Sequence, residues 1–164
     1  MIIHIKNKDT LIVNEFQFKC CVGKKGIRKN KTEGDFYTPS GKFKIGKLYW
    51  RPDREELPKT KLICKKIKKN MGWCNDIKSK LYNKEISFPF KFKAEKLYRK
   101  DNIYDLFIHI KYNHKPTVKG KGSAIFLHIA NLKYKSTKGC VAVSKKDFLK
   151  ILPNIKKNTK ISIS

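Results

Sequence analysis

Ala124-Ile125-Phe126-Leu127-His128-Ile129, then Gly139-Cys140-Val141-Ala142-Val143, then Ser144 and a short helical pattern, decide how this chain folds. The first run is apolar, of strand length, and entered through Gly120 and Gly122. The second resumes a short apolar strand directly after a Gly-Cys pair. Ser144 then stands as an N-cap, Asp147 falls where a capping box places an acid, and Phe148, Leu149, Ile151 and Leu152 form one apolar stripe before Pro153. Strand-type runs followed by one amphipathic helix predict a sheet with a helix packed on it.

Working outward, Leu106-Phe107-Ile108-His109-Ile110 repeats the buried-strand signature, and Ile161-Ser162-Ile163 reads as a closing strand. Near the start, Ile2-Ile3-His4-Ile5, Leu11-Ile12-Val13 and residues 16–22 are rich in β-branched and aromatic residues between turn-forming Asn and Asp. Residues 23–46 carry five glycines and a Thr38-Pro39-Ser40-Gly41 turn, the pattern of a shaped loop. Residues 51–84 read as one long irregular connection carrying Trp73, Cys74, Asn75 and Asp76. The expected fold is therefore mostly β with minor α (α+β), one or two helices packed on the sheet, in a single domain spanning 1–164.

The 40 basic and 13 acidic residues give a net charge of +27, which points to a polyanionic partner or to a generally solvated surface. Only Arg28, Arg51, Arg54 and Arg99 are arginines. Base readout favours Arg, so specific nucleic-acid recognition is not expected. No apolar run reaches the roughly 18 residues of a membrane span. The opening Met1-Ile2-Ile3-His4-Ile5-Lys6 lacks the features of a secretory signal. Five cysteines without zinc-type spacing leave at least one thiol free unless chains pair.

His128 closes an apolar strand, where a polar side chain needs a reason, and Cys140 stands at a strand mouth after Gly139. A Cys–His pair supplies a nucleophile and a proton carrier, and Gly139 permits amides to turn toward an oxyanion. An imidazolium beside Cys140 predicts a thiol partly ionised near neutral pH. The competing reading is ordinary: a packed core thiol and a satisfied strand histidine.

Gly122-Ser123-Ala124-Ile125-Phe126-Leu127-His128 with Thr137-Lys138-Gly139-Cys140-Val141 resembles the catalytic segment of YkuD-type L,D-transpeptidases. Lys31-Thr32-Glu33-Gly34-Asp35 and Thr38-Pro39-Ser40-Gly41-Lys42-Phe43 are similar to an upstream motif of that family. Arg51-Pro52-Asp53-Arg54, Gly72-Trp73-Cys74-Asn75-Asp76, Tyr82-Asn83, Tyr104-Asp105-Leu106 and Tyr112-Asn113 resemble its single-domain branch. The sequence departs where the commoner pattern has His before Gly-Cys and Arg two residues after Cys: Lys138 and Ala142 stand there.

The resemblance implies a β-sandwich or open barrel and acyl transfer on bacterial peptidoglycan stem peptides. Cys140 would be the nucleophile and His128 its proton partner, often oriented by a backbone carbonyl, with the oxyanion held by amides around Gly139-Cys140. No cofactor or metal is implied. Arg51, Arg54 and Lys138 become candidates for binding charged groups of the donor, against structural ion pairs or a solvated lysine. Trp73, Asn75 and Asp76 would wall the site, although a buried indole fastening a loop accounts equally for Trp73. Thr137 and Tyr112 complete the substrate-contacting set, Tyr112 and Asn113 either orienting His128 or capping a strand. The alternatives are an L,D-carboxypeptidase or amidase on the same substrate, or a non-catalytic basic module that binds the envelope or nucleic acid. A monomer attracted to anionic envelope polymers is expected. The implied substrate places it in the envelope or periplasm, while the absent export signal keeps a cytoplasmic site open.

Overall fold

The computed structural model describes residues 1–164. The strands are β1 (Ile2–Lys6), β2 (Thr10–Val13), β3 (Phe16–Cys21), β4 (Gly26–Arg28), β5 (Tyr37–Pro39), β6 (Gly41–Trp50), β7 (Cys64–Lys66), β8 (Met71–Cys74), β9 (Glu85–Ser87), β10 (Ala94–Lys96), β11 (Leu106–Ile110), β12 (Phe126–Ile129), β13 (Val141–Val143) and β14 (Lys160–Ile163). A single α-helix, α1 (Lys145–Ile151), runs into a 3-10 turn at Leu152–Asn154.

The main sheet follows the order β11-β12-β13-β3-β2-β1-β14-β6-β7, and β11 also pairs with β6. That last pairing closes eight strands into a ring, with β7 as a branch. β6 makes closure possible because it is long. Its first half pairs with β14 and its second half with β11. The mostly-β class with one packed helix agrees with the sequence expectation, and the barrel is closed.

Alternation assigns the two faces of each strand. Ile3, Ile5, Leu106, Ile108, Ile110, Leu127, Ile129, Val141 and Val143 point into the barrel core, which Phe148, Ile151 and Leu152 of the helical segment complete. Ser144 caps α1 as expected, accepting from the Asp147 N–H at 3.1 Å and donating to its carboxylate at 2.7 Å. Leu149 departs from the expected stripe. It is exposed, because the buried face takes the i, i+3, i+4 positions 148, 151 and 152.

The outer face of β11 and β12 carries a second core of Phe107, Phe126, Trp73, Tyr104, Tyr49 and Cys140. It is roofed by a three-stranded sheet, β10-β8-β9. The expected irregular loop 51–84 therefore contains two strands, β7 and β8. Likewise the expected loop at 23–46 contains β4, β5 and the start of β6, whose exposed lysines hide the alternation of Phe43 and Ile45. Phe107 and Phe126 are fully buried, their rings 4.5 Å apart, and each such burial stabilises by about 1.5–3 kcal/mol.

Candidate active site

β12 and β13 run parallel, with His128 beside Ala142 and Leu127 beside Val141. One side-chain period earlier, the Phe126 N–H donates to Cys140 Sγ at 3.4 Å. Register and alternation thus bring Cys140 and His128 to the outer face of the barrel as diagonal neighbours. The connection between the strands is fastened to the end of β3. The Thr137 N–H donates to Val22 O, and the Lys24 N–H donates to Thr137 O, each at 2.9 Å.

Both side chains open on a cleft of about 650 Å3. His128 Nδ1 lies 2.8 Å from Ile129 O. A carbonyl only accepts, so this contact puts the proton on Nδ1 and the lone pair on Nε2. A backbone carbonyl therefore orients the ring. Burial holds the imidazole pKa down at about 4, although the Ile129 contact opposes the shift.

Cys140 does not have the low pKa expected from the sequence. Its thiol donates to Ala124 O at 3.2 Å. Burial and then the charge of Glu95 push its pKa up to about 12, against the opposing pull of the Phe126 N–H, Lys31 and Tyr104. The imidazolium invoked to lower it is absent at neutral pH, since His128 is held neutral. The resting pair is thiol and imidazole.

Gly139 has φ +144°, and a Cβ there would lie 2.9 Å from Tyr37 O. This close approach explains the glycine. Its N–H donates to Thr137 Oγ1 at 3.0 Å, while the Thr137 hydroxyl donates to Cys140 O at 2.6 Å. The Thr38 hydroxyl reaches the same carbonyl at 3.4 Å. The Cys140 N–H makes no hydrogen bond within the chain. Of the two amides expected to face an oxyanion, Gly139's is already engaged and Cys140's is free.

A family model described as the YkuD L,D-transpeptidase catalytic domain matches residues 2–163. The chain belongs to the YkuD family. No curated protein matches it. No helix of this YkuD domain is long and apolar enough to cross a membrane.

Thr137, Lys138, Gly139 and Asn75 line the cleft with Cys140 and His128. The other expected substrate contacts lie elsewhere in the YkuD domain. Arg51 is buried, clasps Asp53 at 2.8 and 2.7 Å and donates to Arg99 O. Its guanidinium is spent on fastening loops. Arg54 likewise bonds Asp105 and the carbonyls of Asp101 and Lys100. Trp73 is buried behind the site and donates to Asn83 Oδ1 at 2.9 Å, the loop-fastening role. Asp76 accepts from the amides of Lys78 and Lys93. Tyr112 donates to Lys121 O, and Asn113 bonds Val118 and Gly122, so neither orients His128.

Three cleft residues were not singled out from the sequence. Lys31 is 3% exposed and threads between Gly122 and Gly139. A Cβ at Gly122 would meet its Cε at 2.9 Å, and one at Gly139 its Nζ at 3.5 Å. Asp35 holds that ammonium at 2.5 Å. Tyr104 packs edge-on to His128 with centroids 5.4 Å apart and donates to Glu95 Oε1 at 2.6 Å. Lys31 and Tyr104 stand inside stretches that carry the family resemblance, whereas Glu95 has no signal of its own.

The buried histidines set an acid limit on stability. His109 is also buried, its Nε2 without a partner, and its pKa is held at about 3, mainly by burial. In the unfolded chain both histidines titrate near 6.5. Between that value and their folded pKa values the unfolded state binds more protons, so stability falls as pH falls from about 6.5 towards 4. Each unit of difference is worth about 1.4 kcal/mol. Denaturant midpoints at pH 7, 5.5 and 4.5 should drop stepwise. A flat profile over that range contradicts neutral burial of both rings.

Proposed function

We propose that the chain is a cysteine-dependent acyltransferase acting on peptidoglycan stem peptides, an L,D-transpeptidase. The observation that carries this reading is the convergence, in one cleft, of Cys140 Sγ, a His128 whose Nε2 is left as a base, and an unengaged Cys140 N–H. Sγ attacks the carbonyl of an L-configured centre, and the Cys140 N–H receives the oxyanion. His128 passes the thiol proton to the departing D-amino acid, then takes a proton from the acceptor amine that resolves the thioester. Water as the acceptor makes the same site a carboxypeptidase. The net charge of +27 favours residence beside anionic envelope polymers.

Incubation with a disaccharide-tetrapeptide should release the terminal D-amino acid, and mass spectrometry should show a cross-linked dimer or a tripeptide. Dimer identifies a transpeptidase and tripeptide a carboxypeptidase. Intact substrate after prolonged incubation with reduced, folded protein contradicts both.

A further inference from the structure

Glu95 has no part in the chemistry described so far, yet it lines the cleft. It lies on β10 directly across from Trp73 of β8, and the Tyr104 hydroxyl is its one hydrogen-bond partner. Six carboxylates of the chain are answered by cations, whereas Glu33 of the same cleft accepts from the Tyr82 and Ser123 hydroxyls. Asp35, Asp53, Glu55, Glu85, Asp101 and Asp105 each pair with a Lys or Arg. Glu95 forms no such pair, in a chain with 40 basic residues. Burial raises its pKa, against the Tyr104 hydrogen bond and then the charges of Arg99 and Lys138, which lie beyond ion-pair distance.

A second acceptor without a donor faces the same space. Asn75 follows β8, two residues beyond Trp73 and so on the face that carries Glu95. Its Oδ1 is buried without a partner, and the residue lines the cleft. A carboxylate lacking a cation and an amide oxygen lacking a donor match a ligand group with several N–H donors and a positive charge.

We propose that Glu95, with Asn75, binds a primary ammonium group carried by the acyl donor, and that this contact couples donor binding to the reactivity of Cys140 in the same cleft. The donor is the one named by the acyl-transfer reading above, on which this assignment rests. Tyr104 positions the carboxylate and links it to the His128 ring and the sulfur. The charged and titratable groups lining the cleft with Cys140 are Lys31 and Glu33 from the loop before β5, Lys93, Glu95 and Lys96 on and beside β10, Arg99 and Tyr104 before β11, the neutral His128 of β12, and Lys135 and Lys138 before β13. Lys31 is tied to Asp35, Arg99 to Asp101, and Glu33 accepts from two hydroxyls, so Glu95 is the acidic group left with a single phenolic donor.

In the free protein the Glu95 carboxylate, in its ionised form, opposes ionisation of the thiol. An ammonium seated there cancels that charge. The S–H bond then breaks with its proton going to His128 Nε2, and the sulfur lone pair forms the S–C bond. The carbonyl π pair moves onto oxygen facing the Cys140 N–H. Collapse expels the amine, which takes the proton from His128. Donor binding and the reactivity of the nucleophile are thus coupled through the charge at Glu95.

Glu95→Gln preserves shape and an acceptor for Tyr104 while removing the charge. Labelling of Cys140 by neutral iodoacetamide at pH 8, read by peptide mapping, should be about tenfold faster in E95Q, the effect of one pKa unit. Wild type should prefer a tetrapeptide donor with a free side-chain amine over its N-acetylated form by roughly tenfold in KM, and E95Q should lose that preference. Labelling of E95Q at the wild-type rate, or equal use of both donors by wild type, overturns the proposal. The wild-type comparison decides alone if E95Q does not fold. If wild type consumes neither donor but E95Q labels faster, the acyl-transfer reading fails while the Glu95–Cys140 coupling stands.

Discussion

Cys140→Ser should abolish acyl-enzyme formation, with a loss of about 10⁴-fold or more, and leave the fold in place. Serine retains the two contacts made at this position, accepting from the Phe126 N–H and donating to Ala124 O. It does not retain reactivity. A hydroxyl is far harder to deprotonate than a thiol, and a His128 whose pKa is held at about 4 is too weak a base to compensate. His128→Ala should cost about 10²–10⁴-fold, the usual worth of a positioned proton carrier. A carbapenem, which the family resemblance suggests as an acyl donor, provides the measurement: intact mass should show the adduct on wild type and none on C140S, with matched melting curves. An adduct on C140S places the nucleophile elsewhere.

Resting Cys140 should label about a thousandfold more slowly at neutral pH than an unperturbed thiol, since its pKa is raised from 9.0 to about 12. The direction follows from the proton. The thiolate is the reacting species, and raising the pKa lowers its fraction tenfold per unit at any pH below the ordinary value. Iodoacetamide labelling should climb about tenfold per pH unit from pH 7 to 10 without a plateau. Cys64, only partly buried at the edge of the barrel, should label first. A plateau near pH 7, or Cys140 labelling ahead of Cys64, indicates a preformed thiolate and reverses this reading. The low pKa expected from the sequence assumed an imidazolium near a solvated thiol, but burial disfavours the charged form of both groups.

The same contrast runs through the rest of the molecule. Ile3, Ile5, Leu106, Ile108, Leu127 and Val141 are legible as strand residues because a buried strand leaves an apolar period in the chain itself. Ser144 and Asp147 are legible because a capping box closes within four residues. β6 was hidden by lysines on its exposed face, and β8 and β10 by their shortness, because a two-residue alternation over three or four positions is no signal.

Local chemistry also marked Cys140, His128 and Gly139 as candidates, since a thiol at a strand mouth beside a glycine and a histidine closing an apolar strand are each written in neighbouring residues. Tertiary structure alone decided which other polar groups join them. Arg51, Asp76 and Tyr112 are as polar as Lys31, Glu95 and Asn75, yet the first three spend their hydrogen bonds fastening loops while the latter three line the cleft. Nothing in their neighbours along the chain distinguishes the two sets. The difference arises because the β10-β8-β9 sheet folds across the outer face of β11 and β12 and brings Glu95 beside Tyr104. Side-chain roles were readable where the interaction closes within a few residues, and were settled by the fold where the partner comes from a distant strand.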